Sequence, residues 1–142
     1  MTADQKAKLR DFLRSIVRAE VQQGTSFVEF HHGDCIGADD EAATIAYEEG
    51  CSIVVHPGYP KGKPEDTTFR AFNPHSETIL PAKEFLARDH DIVNIADHMI
   101  AAPHTEKELV RSGTWTTVRY ARKANKGISF VFTDRRMVSD AH

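Results

Sequence analysis

Leu9, Phe12, Leu13, Ile16, Val17 and Val21 recur at three- and four-residue spacing, which predicts an amphipathic helix with one face on a core. Thr2 and Gln5 stand at capping-box spacing at its start, and Gln22-Gln23-Gly24 ends it. Phe27-Val28-Glu29-Phe30 reads as a short strand. A second helix, capped by Asp39 or Asp40, runs through Ala42, Ala43, Ile45, Ala46 and Tyr47 to Gly50, and the strand Ser52–His56 follows and ends at Pro57. The stretch from Gly58 to about Pro81, with Pro60, Pro64 and Pro74, reads as a long loop of the kind that often carries function. A third helix is expected over about Ala82 to Ala96, with Phe85, Leu86, Ile92, Val93 and Ile95 inward. His98–Ala102 is a strand closed by Pro103. A helix carrying Trp115, Val118, Tyr120 and Ala121 comes next and stops at Asn125-Lys126-Gly127. Ile128–Phe132 is the last expected strand, with a polar, loose tail from Thr133 to His142.

Helices alternate with strands throughout, so the pattern predicts an α/β domain with a parallel sheet and helices on both faces. At 142 residues with 40% hydrophobic content the chain suits one domain with a real core. The formal charge of -3, with both signs mixed along the chain, offers no broad cationic face for duplex nucleic acid. No apolar run has the length of a membrane span, and two cysteines make no disulfide framework, so a reduced, cytoplasmic protein is expected. Cys35 and Cys51 read as small core or turn residues; Cys35 also lies near a helix N-terminus, which would lower its thiol pKa.

Two glycine-bearing stretches carry the candidate chemistry: His31-His32-Gly33-Asp34-Cys35-Ile36-Gly37-Ala38-Asp39-Asp40 and Arg111-Ser112-Gly113-Thr114-Trp115-Thr116. Each follows an apolar run and precedes a helical pattern. In a parallel sheet that is the carboxyl edge, where small residues let the backbone approach a phosphate and helix-opening amides donate to it. At the first turn, the amides around Gly33, Gly37 and Ala38 would serve the phosphate, and Asp34 and Asp39 a ribose hydroxyl. At the second, Arg111 would pair with a phosphate while Ser112 and Thr114 donate hydroxyls beside Gly113. The bland alternatives are tight connections with capped helices. His31, His32 and His56 lie near strand ends without the spacing of a metal site, so neither metal nor cofactor is expected. His32 has the pKa range of a general acid or base.

His32-Gly33-Asp34-x-x-Gly37-Ala38-Asp39, Arg88-Asp89-x-Asp91-Ile92-Val93, Ala101-Ala102-Pro103 and Arg111-Ser112-Gly113-Thr114-Trp115 together resemble the SLOG superfamily of Rossmann-like nucleotide-binding domains. That group holds the Lonely Guy phosphoribohydrolases and the DNA-processing, Smf-like proteins, and the likeness is to its small bacterial and phage members. The resemblance implies a Rossmann-like three-layer sandwich. It also makes Arg88, Asp91 and Pro103 site candidates, and implies a homodimer through helices as an assembly to test. Such domains normally begin with a strand and a glycine turn before the first helix. Here that strand is missing, as in a trimmed form of a longer protein, and its place would lie between the strands at Phe27–Phe30 and His98–Ala102. Lonely Guy enzymes also carry a glutamate after their glycine-threonine pair, and that position is Thr117. A hydroxyl cannot replace a carboxylate that stabilises an oxocarbenium ion or activates water.

The expected function is therefore binding of a nucleotide or nucleotide-derived small molecule, as sensor, carrier or sequestering protein. The alternative is an N-glycosidic hydrolase or transferase using His32, Asp34 or Asp91. A third reading binds single-stranded DNA through Lys61, Lys63, Phe69, Arg70 and Phe72 of the long loop.

Overall fold

A computed structural model describes residues 1–25, 27–103, 113–133 and 137–140. The Thr2 hydroxyl accepts from the Gln5 amide, and the Gln5 side chain accepts from the Thr2 amide, so the expected capping box opens α1 (Ala3–Gln22). β1 (Glu29–His32) leads through the first glycine turn into α2 (Ala38–Glu48), and β2 (Ser52–Val55) follows. The segment expected as one long loop instead contains β3 (Gly58–Tyr59), β4 (Thr78–Ile79) and β5 (Lys83–Glu84). Then come α3 (Phe85–Ile95), β6 (His98–Ala101), α4 (Gly113–Lys123), β7 (Gly127–Val131) and β8 (Met137–Asp140).

The expected single parallel sheet is divided. β1, β2 and β4 form one parallel ladder, with β1 and β2 in register from Glu29↔Ser52 to His32↔Val55. β6 and β7 pair parallel, and β8, in the tail expected to be loose, adds antiparallel to β7. β3 and β5 form a separate parallel pair. Among the described residues β1 and β6 share no ladder, so each is an edge strand of its own sheet.

The core is divided in the same way. Leu9 and Leu13 of α1 and Ala43, Ile45 and Ala46 of α2 pack with Ile53 and Val55 on one face of the first sheet. Val93 of α3 and Trp115, Val118 and Ala121 of α4 pack with Ala101, Ile128 and Phe130 of the second. Leu86 and Ile95, expected inward on α3, are 58% and 59% exposed, and the buried positions are Arg88 and Val93. Val93 is buried as expected and Phe85 and Ile92 are half-buried, while Arg88 takes a buried position that the apolar spacing did not mark.

Two buried polar side chains bridge the halves. Gln5 Nε2 donates to the carbonyls of Pro103 and Val131 at 3.2 and 3.0 Å, tying α1 to the carboxyl ends of β6 and β7. Arg88 Nη1 donates to the carbonyls of Gly33 and His56 at 2.8 and 3.1 Å, tying α3 to the carboxyl ends of β1 and β2. No helix among the described residues is long and apolar enough to cross a membrane.

Candidate functional site

Gly33 is required by the close approach of Arg88. A Cβ there would lie 2.7 Å from the guanidinium carbon, and one on Gly58 would lie 2.9 Å from the same atom and 2.7 Å from the Phe85 ring. The backbone at the first turn thus makes room for a guanidinium of the chain itself. Arg88, 5% exposed, also donates from Nε to Asp89 Oδ1 at 2.6 Å and sits over the Phe85 ring.

Four of the turn amides are engaged as well. Gly33 N–H and Cys35 N–H both donate to Asp39 Oδ2 at 3.2 Å, Asp34 N–H donates to His32 Nδ1 at 3.0 Å, and Ile36 N–H donates to the Phe69 carbonyl. Neither Asp39 nor Asp40 caps α2 in the expected way: its N-cap is Gly37, at φ +105°, and no side chain caps it. The Asp39 carboxylate instead reaches back over the turn and takes the position an anion would take on those amides.

Asp34 is fully buried and holds the left-handed conformation, φ +57°. Its Oδ2 accepts from Arg70 Nε and Nη2 at 3.2 Å and from Phe72 N–H at 3.1 Å, while Oδ1 accepts from Asn73 N–H at 3.1 Å. One carboxylate therefore pins the return of the long connection against the glycine turn. Phe72, also at positive φ, presents a ring 57% exposed with the Arg70 guanidinium 4.2 Å from its centre. A bulky residue in that region is strained and persists only where its surroundings hold it there. The Asp34 contacts do so.

His32 is 4% exposed, and burial lowers its pKa against the pull of Asp39, Asp34 and Asp40. The hydrogen bond from Asp34 N–H makes Nδ1 the acceptor, which leaves the proton on Nε2. Nε2 is buried and has no hydrogen-bond partner among the described residues. The Cys35 thiol, expected to be lowered by the helix N-terminus, is instead raised by burial, with Asp39 adding to it.

At the second turn Arg111 and Ser112 lie outside the described residues. Gly113 and Thr114 are exposed at the start of α4, and a Cβ on Gly113 would meet nothing within 4 Å. Thr117 Oγ1 donates to the Gly113 carbonyl at 3.1 Å and lies 3.4 Å from Asp89 Oδ2. Burial raises the Asp89 pKa, against Arg88. Pro103 is buried and its carbonyl is taken by Gln5.

The structure brings His32, Gly33, Asp34, Gly37, Ala38, Asp39 and Arg88 together around one turn. Asp91 lies off the turn: it pairs with Lys83 at 2.6 Å, lines a small recess with Arg88 and His56, and borders an adjoining open cleft with His31 and His56. Asp89 and Asn73 are neighbours of the turn that were not among the expected site residues, and Arg70 and Phe72, expected only in the single-strand reading of the long loop, join it as well. The Arg88-Asp89 adjacency and the basic and aromatic residues of the long loop were the local signs, and Asn73 had none. Among the described residues no three His, Cys, Asp or Glu side chains converge as metal ligands would.

Comparison of the chain with protein-family models, with curated proteins and with solved structures finds no match.

Proposed function

We propose that this chain binds a nucleotide or nucleotide-derived small molecule at the carboxyl edge of β1, in a Rossmann-like arrangement, as a sensor, carrier or sequestering protein. The observation that carries the reading is His32 Nε2–H, a buried donor of fixed tautomer with no acceptor among the described residues, on the residue that enters the first glycine turn. Leaving such a group unmet costs about 1–3 kcal/mol, which an acceptor oxygen on a ligand would restore. The exposed Phe72 ring, backed by Arg70, supplies a stacking surface for a base on the same hub. A phosphate reaches the turn amides by displacing the Asp39 carboxylate, so Asp39 acts as an internal competitor.

Small molecules released from the purified protein and identified by mass spectrometry test this, together with calorimetry against nucleoside mono- and diphosphates. His32→Gln is expected to weaken binding by roughly tenfold, the worth of one buried hydrogen bond. Asp39→Asn is expected to strengthen the binding of phosphate-bearing ligands. No released nucleotide and no micromolar binding across the panel would overturn the reading.

A second reading, N-glycosidic hydrolysis or transfer, is favoured by one contact. The Asp89 carboxylate of α3 stands at the Thr117 hydroxyl, the position at which the resembling enzymes carry their glutamate, and its raised pKa suits proton transfer. Free base released from nucleoside monophosphates by the wild type and abolished in Asp89→Asn would replace the binding reading with this one.

A further inference from the structure

Phe30, Ile53 and Val55 pack with α1 and α2, so strand alternation turns His31, Val54 and His56 to the opposite face of the sheet. There they line an open cleft of about 650 Å³, bordered by Glu29, Lys83 and Asp91. Glu29 Oε1 lies 3.1 Å from His31 Nε2, and His31 Nδ1 lies 2.8 Å from His56 Nε2. Three ionisable groups thus form an unbroken chain from a half-exposed carboxylate to an imidazole that is 6% exposed.

The proton positions along that chain follow from its end. A carboxylate can only accept, so a neutral His31 would donate to Glu29 from Nε2 and leave its own Nδ1 bare. His56 must then donate from Nε2, which leaves His56 Nδ1 with a free lone pair. Burial pushes the His56 pKa down to about 4, with His31, Arg88 and His32 lowering it further and Asp91 opposing. His56 is therefore neutral at physiological pH.

We propose that this cleft is a general-base site. His56 Nδ1 takes a proton from a hydroxyl or water held in the cleft, His56 passes its Nε2 proton to His31 Nδ1, and His31 passes its Nε2 proton to Glu29. Each imidazole finishes neutral in the other tautomer, and the proton rests on a carboxylate that solvent reaches. The cleft sets the carboxylates of Glu29 and Asp91 against the single ammonium of Lys83, itself paired with Asp91. The Arg88 guanidinium, paired with Asp89, lines the adjoining recess, so the charges around His56 balance and the site suits uncharged, hydroxyl-bearing small molecules or neutral esters. The site stands on the other sheet face from His32 and does not depend on the nucleotide reading.

Two measurements test it. Long-range ¹H–¹⁵N spectra of the wild-type protein near neutral pH are expected to show both imidazoles neutral and protonated at Nε2. A protonated Nδ1 on either would overturn the relay. Turnover of p-nitrophenyl acetate is the chemical probe: hydroxide formed as His56 takes the water proton attacks the acetyl carbon, the bond to p-nitrophenolate breaks, and acetic acid leaves. His56→Gln is expected to lower steady turnover by about tenfold or more. Glu29→Gln, at a half-exposed position, is expected to lower it a few-fold and shift its pH profile with the melting temperature unchanged. Equal turnover in folded His56→Gln, or stoichiometric lysine acetylation without turnover, would overturn the proposal.

Discussion

Arg88 occupies the space that a side chain on Gly33 would fill, and from there it donates to the Gly33 carbonyl at 2.8 Å. The glycine and the arginine are therefore one structural choice made at two positions. Gly33→Ala is expected to lower stability by about 1–3 kcal/mol through overpacking. Arg88→Ala should lower it by about 3 kcal/mol, because Asp89 and two buried carbonyls lose their partner. Combining them should give less than the sum, since the smaller side chain removes the clash. Urea midpoints of the four proteins check this, and a strictly additive double variant would refute the coupling.

Asp34→Asn keeps the shape of the buried hub and removes its charge. The ion pair with Arg70 and the two amide contacts at Phe72 and Asn73 weaken together. A loss of roughly 2–3 kcal/mol is expected, with faster tryptic cleavage after Arg70 under native conditions. An unchanged cleavage rate would mean that the hub does not hold this segment.

Acid should weaken the fold in two stages. His56 has a folded pKa of about 4 against an ordinary 6.5, so the unfolded chain binds the extra proton first. Its contribution is complete above pH 6.5 and drains as the pH falls toward 4, by up to roughly 3 kcal/mol. His32 shifts in the same direction through burial. Glu49, held near about 2 by Arg14 and Arg10, contributes above 4.5 and loses its contribution as the pH falls through that range. Urea midpoints at a series of pH values are expected to fall steadily below about pH 6, with a shallower fall in His56→Gln.

The two thiols should be quiet. Burial pushes Cys51 up to about 11 and raises Cys35 as well. At neutral pH a disulfide reagent should therefore react far more slowly with the native protein than with the unfolded one, Cys51 last. Rapid native labelling of Cys35 would show that the turn opens readily.

What the sequence discloses here depends on how far each residue must reach. The Thr2–Gln5 box spans a single helical turn, and the chain shows it directly. The four principal parallel strands emerge from their apolar runs, shifted by one or two residues at most. β3, β4 and β5 are two residues each and carry no period. Asp34 is held by partners 36 to 39 positions away, a distance no local pattern covers, and nothing beside Arg88 in the chain shows that Gly33 and Gly58 make room for it. His31 and His56 stood out near strand ends. Their meeting required the β1–β2 register, which places His31 against Val54 and brings His56 two residues on, on the same face.

Gln5 and Arg88 exchange hydrogen bonds in opposite directions: the first core lends a donor to the carboxyl ends of the second sheet, and the second core lends one to the first. In the folded chain each half therefore satisfies carbonyls of the other. With Ile100 of β6 also packed against the first cluster, the two hydrophobic clusters are bound into a single cooperative unit, and heat should unfold the protein in one transition.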